Sequence, residues 1–432
     1  VRQIAPTGSP SLRFGGDSTD WTWWPNKGLT RPLGIRYWLS RRWLAVTRAT
    51  ATALHARLIL GLNLEADSRA LVSSEARALL TGLGRKLIAG FELGNEPEVY
   101  GSMGWYTRSG QPVRGRARGY DFATYLADYA TMSAALPKGV PLLGPASGAP
   151  SWVAGTTSFL AANPRVREAT FHTYPLHRCW VRAGSSTYPT IPHLLAPESA
   201  EGSSDFFASA VAAAHARGIP FRVDELNSVS CKGARGVSDT FASALWALDT
   251  LFHLDQIGVD GVNIHTLDNV PYEPFSFART RGRWRASVRP LYYGLLFFTR
   301  AAPAGSRLLF VSQQPSTTLH TWATEDRSGT VRVTVINTSG AHSSTLALDV
   351  PGAQTSATVE RLTAPSLRAT RGVSLAGQSF GTSSTTGQLS GRLRVRWIGR
   401  IERRFLIRVP PASAALVTVV SPRAAARRTR SA

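Results

Sequence analysis

The sequence predicts a (β/α)₈ barrel followed by an antiparallel β-sandwich. Over residues 11–269, short apolar runs that end in polar or glycine residues alternate with helix-like stretches. This pattern is typical of parallel strands that are covered on both faces. From about residue 305, apolar and polar residues alternate with period two between Gly, Ser and Pro turns, which indicates a sandwich. We therefore predict a barrel at 1–304, a sandwich at 305–420 and a disordered basic tail at 421–432.

The strands of the barrel are predicted from seven apolar runs. Seven strand–helix units fit a barrel better than an open sheet. A complete barrel has eight strands and the first run lies close to the start of the chain, so we expect the first strand to be missing from this sequence. The runs are SLRFGGDSTD (11–20), RLILGLNLE (57–65), LIAGFELGNEP (87–97), VPLLGPASG (140–148), EATFHTYPL (168–176), IPFRVDELNS (219–228) and VDGVNIHTLDN (259–269).

Composition limits the class of protein. The chain has 432 residues, of which 43% are hydrophobic, and this is enough for two domains with large cores. No apolar run reaches about 18 residues, so we expect no membrane-spanning helix. The net charge is +22, which favours acidic ligands through long-range attraction. The basic residues are scattered along the chain and form no stripe, so nucleic acid is not the expected partner.

A glutamate follows the third run, in the sequence FELGNEPEVY (91–100). Glu92 lies inside the strand, Glu96 at its exit and Glu98 on the loop beyond. Active sites of such barrels form at the C-terminal ends of the strands, so Glu96 is the one placed for chemistry. Asn95, its neighbour, is placed to hydrogen-bond the 2-OH of a sugar.

A second glutamate, Glu225, ends the sixth run. Asp224 precedes it and is expected to face the opposite way, because side chains alternate along a strand. Two glutamates at one barrel mouth can flank a glycosidic bond. When their carboxyls lie about 5–5.5 Å apart, one serves as acid/base and the other as nucleophile. Glu96 and Glu225 therefore predict a retaining glycosidase.

The motifs LRFGGDSTD, FELGNEP, FHTY, DELNSVSCKG and PLYYGLLFF, followed by a β-domain, resemble glycoside hydrolase family 79 of clan A. That family contains β-glucuronidases and heparanase. The resemblance extends over about residues 11–420. It implies that Glu96 is the acid/base and Glu225 the nucleophile. We expect the enzyme to be monomeric and to work without a metal or other cofactor.

The resemblance also implies roles for three residues near the ends of strands. Tyr174, in FHTYP, would hydrogen-bond the nucleophile. His172 would orient the sugar or the acid/base, and the alternative for a lone histidine is a role in the barrel core. Asp17 would bind a sugar hydroxyl, although GGDSTD also fits a capped turn.

Recognition of a uronate is expected from two loops. The resemblance implies that backbone amides near Gly233, together with Tyr272, hold the substrate carboxylate. The sequence CKGARG departs from the tandem glycines that are usual in the family. Lys232 either pairs with the carboxylate directly or faces solvent.

Cys179 and Cys231 are the only cysteines in the chain. They follow the fifth and sixth runs, and the loops there are neighbours at a barrel mouth. The alternatives are two free thiols or one disulfide. A disulfide would imply an oxidising compartment and a secreted protein.

These observations together predict a secreted, retaining β-glucuronidase that acts on an acidic glycan or glucuronide. Two alternatives stay open. One is another clan A glycosidase, such as a xylanase or a glucosylceramidase-like enzyme. The other is a non-catalytic carbohydrate-binding relative or an inactive fragment.

Overall fold

The computed structural model describes residues 2–5, 8–353 and 355–420. The tail predicted at 421–432 lies outside these residues. Across the described part of the chain, no helix is both long enough and apolar enough to cross a membrane.

The described chain forms two compact units. The first contains the chain up to Thr173 together with Phe206–Leu226 and Ile257–Ile264. The second contains Tyr174–Asp205, Asn227–Gln256 and the chain from His265 onward. No observation tests the domain boundary expected near residue 304, which stays a prediction.

The first unit contains a parallel sheet of seven strands in the order β1-β4-β5-β8-β9-β10-β11. Asn263 Nδ2 in the last of these strands donates to the carbonyl of Ser11 in the first, over 3.0 Å. The sheet is therefore a nearly closed barrel, and the predicted fold class is confirmed. The strands of this unit are β1 (Ser11–Phe14), β2 (Thr22–Trp23), β3 (Tyr37–Trp38), β4 (Arg57–Leu62), β5 (Ile88–Leu93), β6 (Tyr106–Arg108), β7 (Gln111–Val113), β8 (Leu142–Ser147), β9 (Val166–Thr173), β10 (Phe221–Leu226) and β11 (Gly261–Ile264).

Helices follow most of the barrel strands, as the apolar pattern predicts. Three of the longer ones begin at a capping side chain: Ser40, Ser68 and Asp121 each accept a backbone N–H from the first turn. The α-helices are α1 (Arg41–Leu54), α2 (Arg69–Leu83), α3 (Phe122–Ala134), α4 (Pro150–Val153), α5 (Thr156–Ala162), α6 (Ile191–Leu194), α7 (Pro197–His215), α8 (Phe241–Gln256) and α9 (Pro290–Ala301). Short 3-10 helices occur at Arg2–Ile4, Asp17–Thr19, Arg85–Leu87 and Pro97–Val99.

The second unit contains an antiparallel sheet in the order β14-β15-β16-β22-β18-β19, with β20 also paired to β18. A separate pair, β17 and β21, shares one apolar core with this sheet through residues such as Leu348, Phe405 and Val417. Two sheets on one core form the predicted sandwich. The strands are β12 (Phe275–Thr280), β13 (Arg283–Val288), β14 (Arg307–Leu309), β15 (Leu319–Glu325), β16 (Val331–Asn337), β17 (Ser344–Asp349), β18 (Ser356–Thr363), β19 (Ser374–Leu375), β20 (Arg396–Gly399), β21 (Arg404–Val409) and β22 (Ser413–Val419).

Candidate active site

Glu96 follows β5, as the sequence predicted, and its backbone is left-handed, with φ 45° and ψ 55°. A residue other than glycine in that region carries strain of about 1–3 kcal/mol, and such strain occurs most often at functional sites. A hydrogen bond of 2.9 Å from its N–H to the carbonyl of Ala146 holds the conformation. The side chain keeps 29% of its surface exposed, so its carboxyl can reach a bound molecule.

Glu225 lies near the end of β10, and only 6% of its surface is exposed. The register of β10 against β9 shifts at this point, because Val223 pairs with Phe171 whereas Glu225 pairs with the next residue, His172. This bulge breaks the alternation that was expected of Asp224. The side chains of Asp224 and Glu225 both contact one guanidinium, that of Arg13, so the prediction that they face opposite ways was wrong.

The structure brings Glu96 and Glu225 together. One carboxylate oxygen of each lies within 4.8 Å of the other and of a ring nitrogen of His172. His172 Nδ1 is 3.0 Å from Oε1 of Glu96. Burial opposes a charge on this ring, but the carboxylates of Asp224 and Glu225 outweigh it and raise the pKa of His172 well above its ordinary value. Nε2 of the same ring lies 3.1 Å from Nη2 of Arg13, which can only donate, so Nδ1 carries the proton that is donated to Glu96.

Sequence reasoning missed Arg13, which is central to the site. Its Nη1 donates to Oε2 of Glu225 over 2.8 Å, and its Nη2 donates to Oδ1 of Asn95 over 3.1 Å. Its Nε lies 2.7 Å from Oε2 of Glu92 and 2.9 Å from Oδ2 of Asp224. The available signal was an arginine inside a barrel strand, in LRFGG, where a buried charge requires a partner.

Glu92 and Asp224, which both contact Arg13, differ in charge at neutral pH. Burial raises the pKa of Glu92 to about 8, although Arg13 opposes the shift. Burial acts in the same direction on Asp224, but Arg13 and His172 outweigh it and lower the pKa of Asp224. At neutral pH, Glu92 therefore keeps its proton and Asp224 is ionised.

Asp17 and Asn95, both predicted to bind sugar, are in contact. Asn95 Nδ2 donates to Oδ1 of Asp17 over 3.2 Å, and its backbone N–H donates to buried Asp20 over 3.0 Å. Asp17 borders solvent, yet loss of water around its carboxyl and the charges of Glu96 and Glu225 raise its pKa to about 6. The pair presents polar groups beside the two glutamates.

Glu98 lies close to Glu96, the catalytic candidate. The sequence placed Glu98 only on the loop beyond the strand and did not suggest this contact. Its Oε1 accepts the backbone N–H of Gly148 over 2.6 Å. A Cβ on Gly148 would lie 3.2 Å from Oε1 of Glu96 and 3.4 Å from Oε1 of Glu98, so both carboxylates face this glycine. Burial, followed by the charge of Glu96, raises the pKa of Glu98 to about 7.

In the second unit, Tyr174 and Tyr272 meet at one imidazole. The hydroxyl of Tyr174 lies 2.5 Å from Nδ1 of His265, and that of Tyr272 lies 3.2 Å from the same atom. Sequence reasoning did not single out His265, which follows β11 as a polar residue at a strand end. The hydrogen bond expected between Tyr174 and the nucleophile stays a prediction.

The predicted carboxylate loop is a left-handed turn, with φ of 58°, 73° and 78° at Cys231, Lys232 and Gly233. Cys231 forms a disulfide with Cys179, with their Cα atoms 6.1 Å apart. Gly233 lies against the ring of Tyr272, since a Cβ there would be 2.8 Å from Cδ1 of that ring. The side chain of Lys232 is exposed to solvent.

Glu96, His172 and Glu225 offer three possible metal-ligand atoms. Arg13 already places a guanidinium 2.8 Å from Oε2 of Glu225. The guanidinium of Arg13 therefore already balances the charge of this carboxylate. The three residues suit proton transfer better than metal binding.

The comparisons with known proteins agree with this description. Residues 314–416 match the glycosyl hydrolase family 79 C-terminal beta domain. A 4-O-α-L-rhamnosyl-β-D-glucuronidase from Fusarium oxysporum has a similar fold, with a TM-score of 0.74 and 20% identity over 96% of this chain and 90% of that one. No curated protein sequence matches the chain.

Two further solved structures share the fold at lower identity. A family 51 arabinofuranosidase from Xanthomonas axonopodis pv. citri aligns with a TM-score of 0.65 and 15% identity, over 97% of this chain and 88% of that one. A family 44 xyloglucanase from Paenibacillus polymyxa aligns with a TM-score of 0.62 and 12% identity, over 95% and 93%.

The fold is one that glycoside hydrolases of several families share, and the glutamate pair suits that class of protein. The match of residues 314–416 to the C-terminal β domain of family 79 confirms the resemblance to that family.

Proposed function

We propose that the protein is a retaining β-glucuronidase with Glu96 as acid/base and Glu225 as nucleophile. The observation that carries the proposal is their spacing, with one oxygen of each carboxylate within 4.8 Å of the other. Retaining enzymes have carboxyls about 5–5.5 Å apart, whereas inverting enzymes have them about 6.5–9.5 Å apart to admit a water.

The surroundings of the two glutamates support this division of roles. Arg13 donates to Glu225, and a guanidinium at 2.8 Å favours the ionised carboxylate that attacks the anomeric carbon. Glu96 is more exposed and can reach the leaving oxygen. In the first step Glu96 gives its proton to that oxygen while Glu225 forms the glycosyl bond. In the second step Glu96 takes a proton from water, whose oxygen displaces Glu225.

Preference for a glucuronide is supported by the turn that follows β10. Within the described residues, the backbone N–H groups of Lys232 and Gly233 have no hydrogen-bond acceptor. Consecutive N–H groups in a left-handed turn form a concave site lined by hydrogen-bond donors, which suits a carboxylate. The similar Fusarium oxysporum enzyme is a β-D-glucuronidase by name, which agrees with this choice.

The proposed setting is outside the cell, with an acidic glycan as partner. The disulfide between Cys179 and Cys231 supports an oxidising compartment. The net charge of +22 would draw a polyanionic substrate towards the protein.

A panel of aryl β-glycosides tests the function. We expect glucuronide to be cleaved faster than glucoside, galactoside, xyloside or arabinofuranoside, with Glu225→Gln inactive as the control. Proton NMR of the first product should show the β-anomer, which then equilibrates. An α-anomer as first product, or no turnover of any member of the panel, would refute the proposal.

A further inference from the structure

Strands β12 and β13 form a hairpin that the catalytic proposal does not use. They pair antiparallel over their whole length and are joined at Arg281 and Gly282, whose φ values are 50° and 79°. Both values are positive, as the tight turn of a two-residue hairpin requires. The hairpin is held at its base, where the ring of Phe275 packs on that of Tyr292 at 4.7 Å.

One face of the hairpin exposes two large aromatic rings. The register pairs Phe277 with Ala286 and Arg279 with Trp284, so Phe277, Arg279 and Trp284 share this face. Phe277 is 65% exposed and Trp284 is 64% exposed. Phe277 and Trp284 are diagonal neighbours, a position that separates residues by about 7–8 Å. Exposed rings grouped in this way mark a binding surface.

The same hairpin carries four arginines, Arg279, Arg281, Arg283 and Arg285. Among the residues that the structure describes, the hydrogen bonds of these arginines go to a carbonyl, that of Gly282, and to a hydroxyl, and none goes to a carboxylate. Arg285 contacts a hydroxyl, that of Ser383, over 3.4 Å. Arg279 shares the face of the two rings and Arg281 lies at the turn, whereas Arg283 and Arg285 lie on the opposite face.

We propose that this aromatic–arginine hairpin binds an acidic glycan chain. The apolar faces of sugar rings would stack on Phe277 and Trp284, and the carboxylates or sulfates of the chain would pair with Arg279 on the same face and with Arg281 at the turn. A guanidinium group can donate two parallel hydrogen bonds to one carboxylate. A neutral glycan would have no use for this charge, so an acidic glycan is the expected ligand. The choice of a uronic acid polymer among polyanions rests on the proposed function.

Affinity electrophoresis tests the inference with the full chain carrying Glu225→Gln, so that no polymer is cut during the run. The probes are a β-linked polyglucuronic acid, its carboxyl-reduced neutral form and single-stranded DNA. We expect polyglucuronate to retard the protein most and the reduced polymer to have little effect. Replacing both Phe277 and Trp284 by Ala should weaken binding roughly tenfold or more, as should replacing Arg279 and Arg281 by Ala.

Trp397→Ala is the matched control, because Trp397 is 70% exposed but lies on β20. This variant should bind polyglucuronate like the parent, and circular dichroism should confirm that all variants are folded. Unchanged binding by the Phe277/Trp284 variant, equal binding of the neutral polymer, or tighter binding of DNA would each overturn the inference. Because the readout needs no turnover, a failure of the glucuronidase proposal in the aryl-glycoside panel would be seen separately.

Discussion

Arg13 Nη1 lies 2.8 Å from Oε2 of Glu225, while Nε of the same guanidinium lies 2.7 Å from Oε2 of Glu92 and 2.9 Å from Oδ2 of Asp224. One buried cation thus links the proposed nucleophile to two carboxyls inside the barrel. Burial disfavours the charged form of each group, and their mutual contacts offset that cost. The ionised state of the nucleophile therefore depends on a residue that does not itself react.

Replacing Arg13 tests this dependence. Arg13→Met should lower stability by about 3–5 kcal/mol, because it leaves buried carboxylates unpaired. Arg13→Lys keeps the charge but cannot donate hydrogen bonds to several side chains at once, as the guanidinium does. In a folded protein kcat/KM should therefore fall roughly 10²- to 10³-fold. Urea unfolding and aryl-glucuronide kinetics measure the two effects. Arg116→Lys, at a partly buried pair with Asp128, is the control and should affect stability alone. Full activity of Arg13→Lys would contradict the assigned role.

Glu98 should affect the pH profile. Its pKa is raised to about 7 by burial and by the charge of Glu96, so Glu98 ionises within the working range. Ionisation of Glu98 adds a negative charge beside Glu96 and His172. We expect kcat/KM of the wild type to change near pH 7, and Glu98→Gln to lose that step while staying active. Identical profiles for the two proteins would remove Glu98 from the mechanism.

The parts of the molecule that sequence predicted are those with local signals. Apolar runs ending in polar residues marked the barrel strands, and the strand ends marked Glu96 and Glu225. Arg13, inside a barrel strand, and His265, at a strand end, were missed because their importance arises from partners far away in the sequence. Asp224 was misassigned because one extra residue in a strand reverses the alternation beyond it. Sequence periodicity does not reveal such a bulge.

Buried Glu75 should make stability depend on pH. Burial raises its pKa to about 8. The unfolded chain releases this proton near pH 4.5, so the folded state binds more protons between about pH 4.5 and 8, and stability falls as pH rises through that window. Glu75→Gln should therefore gain stability relative to the wild type at pH 8, on the order of 4 kcal/mol, and gain little at pH 5. Tm measured at both pH values tests this, with exposed Glu402→Gln as the control. An equal change at both pH values would exclude the titration.

The disulfide between Cys179 and Cys231 should be a large contributor to stability. It closes a loop with a sequence separation of 52 residues. A loop of that length corresponds to about 4 kcal/mol of lost unfolded-state entropy. Reduction, or the double change Cys179→Ser and Cys231→Ser, should lower Tm accordingly. Denatured protein from culture medium should show no reactive thiol before reduction and two after it, whereas two thiols before reduction would exclude the bond.

Under the proposed function, the turn at Lys232 and Gly233 would discriminate between glucuronide and glucoside. A glucoside would leave two backbone donors without an acceptor, at about 1–3 kcal/mol for each buried group. At about 1.4 kcal/mol per tenfold, this amounts to roughly a 30- to 10⁴-fold preference for glucuronide.

Gly233→Ala should remove most of that preference. Its φ is 78°, and a Cβ would lie 2.8 Å from Cδ1 of Tyr272, so the turn must move. Its N–H groups would then no longer point towards the substrate carboxylate. Lys232→Ala is the matched control, because it keeps the backbone donors and removes only an exposed ammonium. We expect kcat/KM for aryl glucuronide to fall in Gly233→Ala with little change for glucoside, and the ratio to stay near wild type in Lys232→Ala. A loss of the ratio in Lys232→Ala alone would assign recognition to the lysine side chain.

Equal kcat/KM values for the two substrates in the wild type would rule out uronate preference. The proposal that Glu96 and Glu225 make the protein a retaining glycosidase would survive that result, with another specificity.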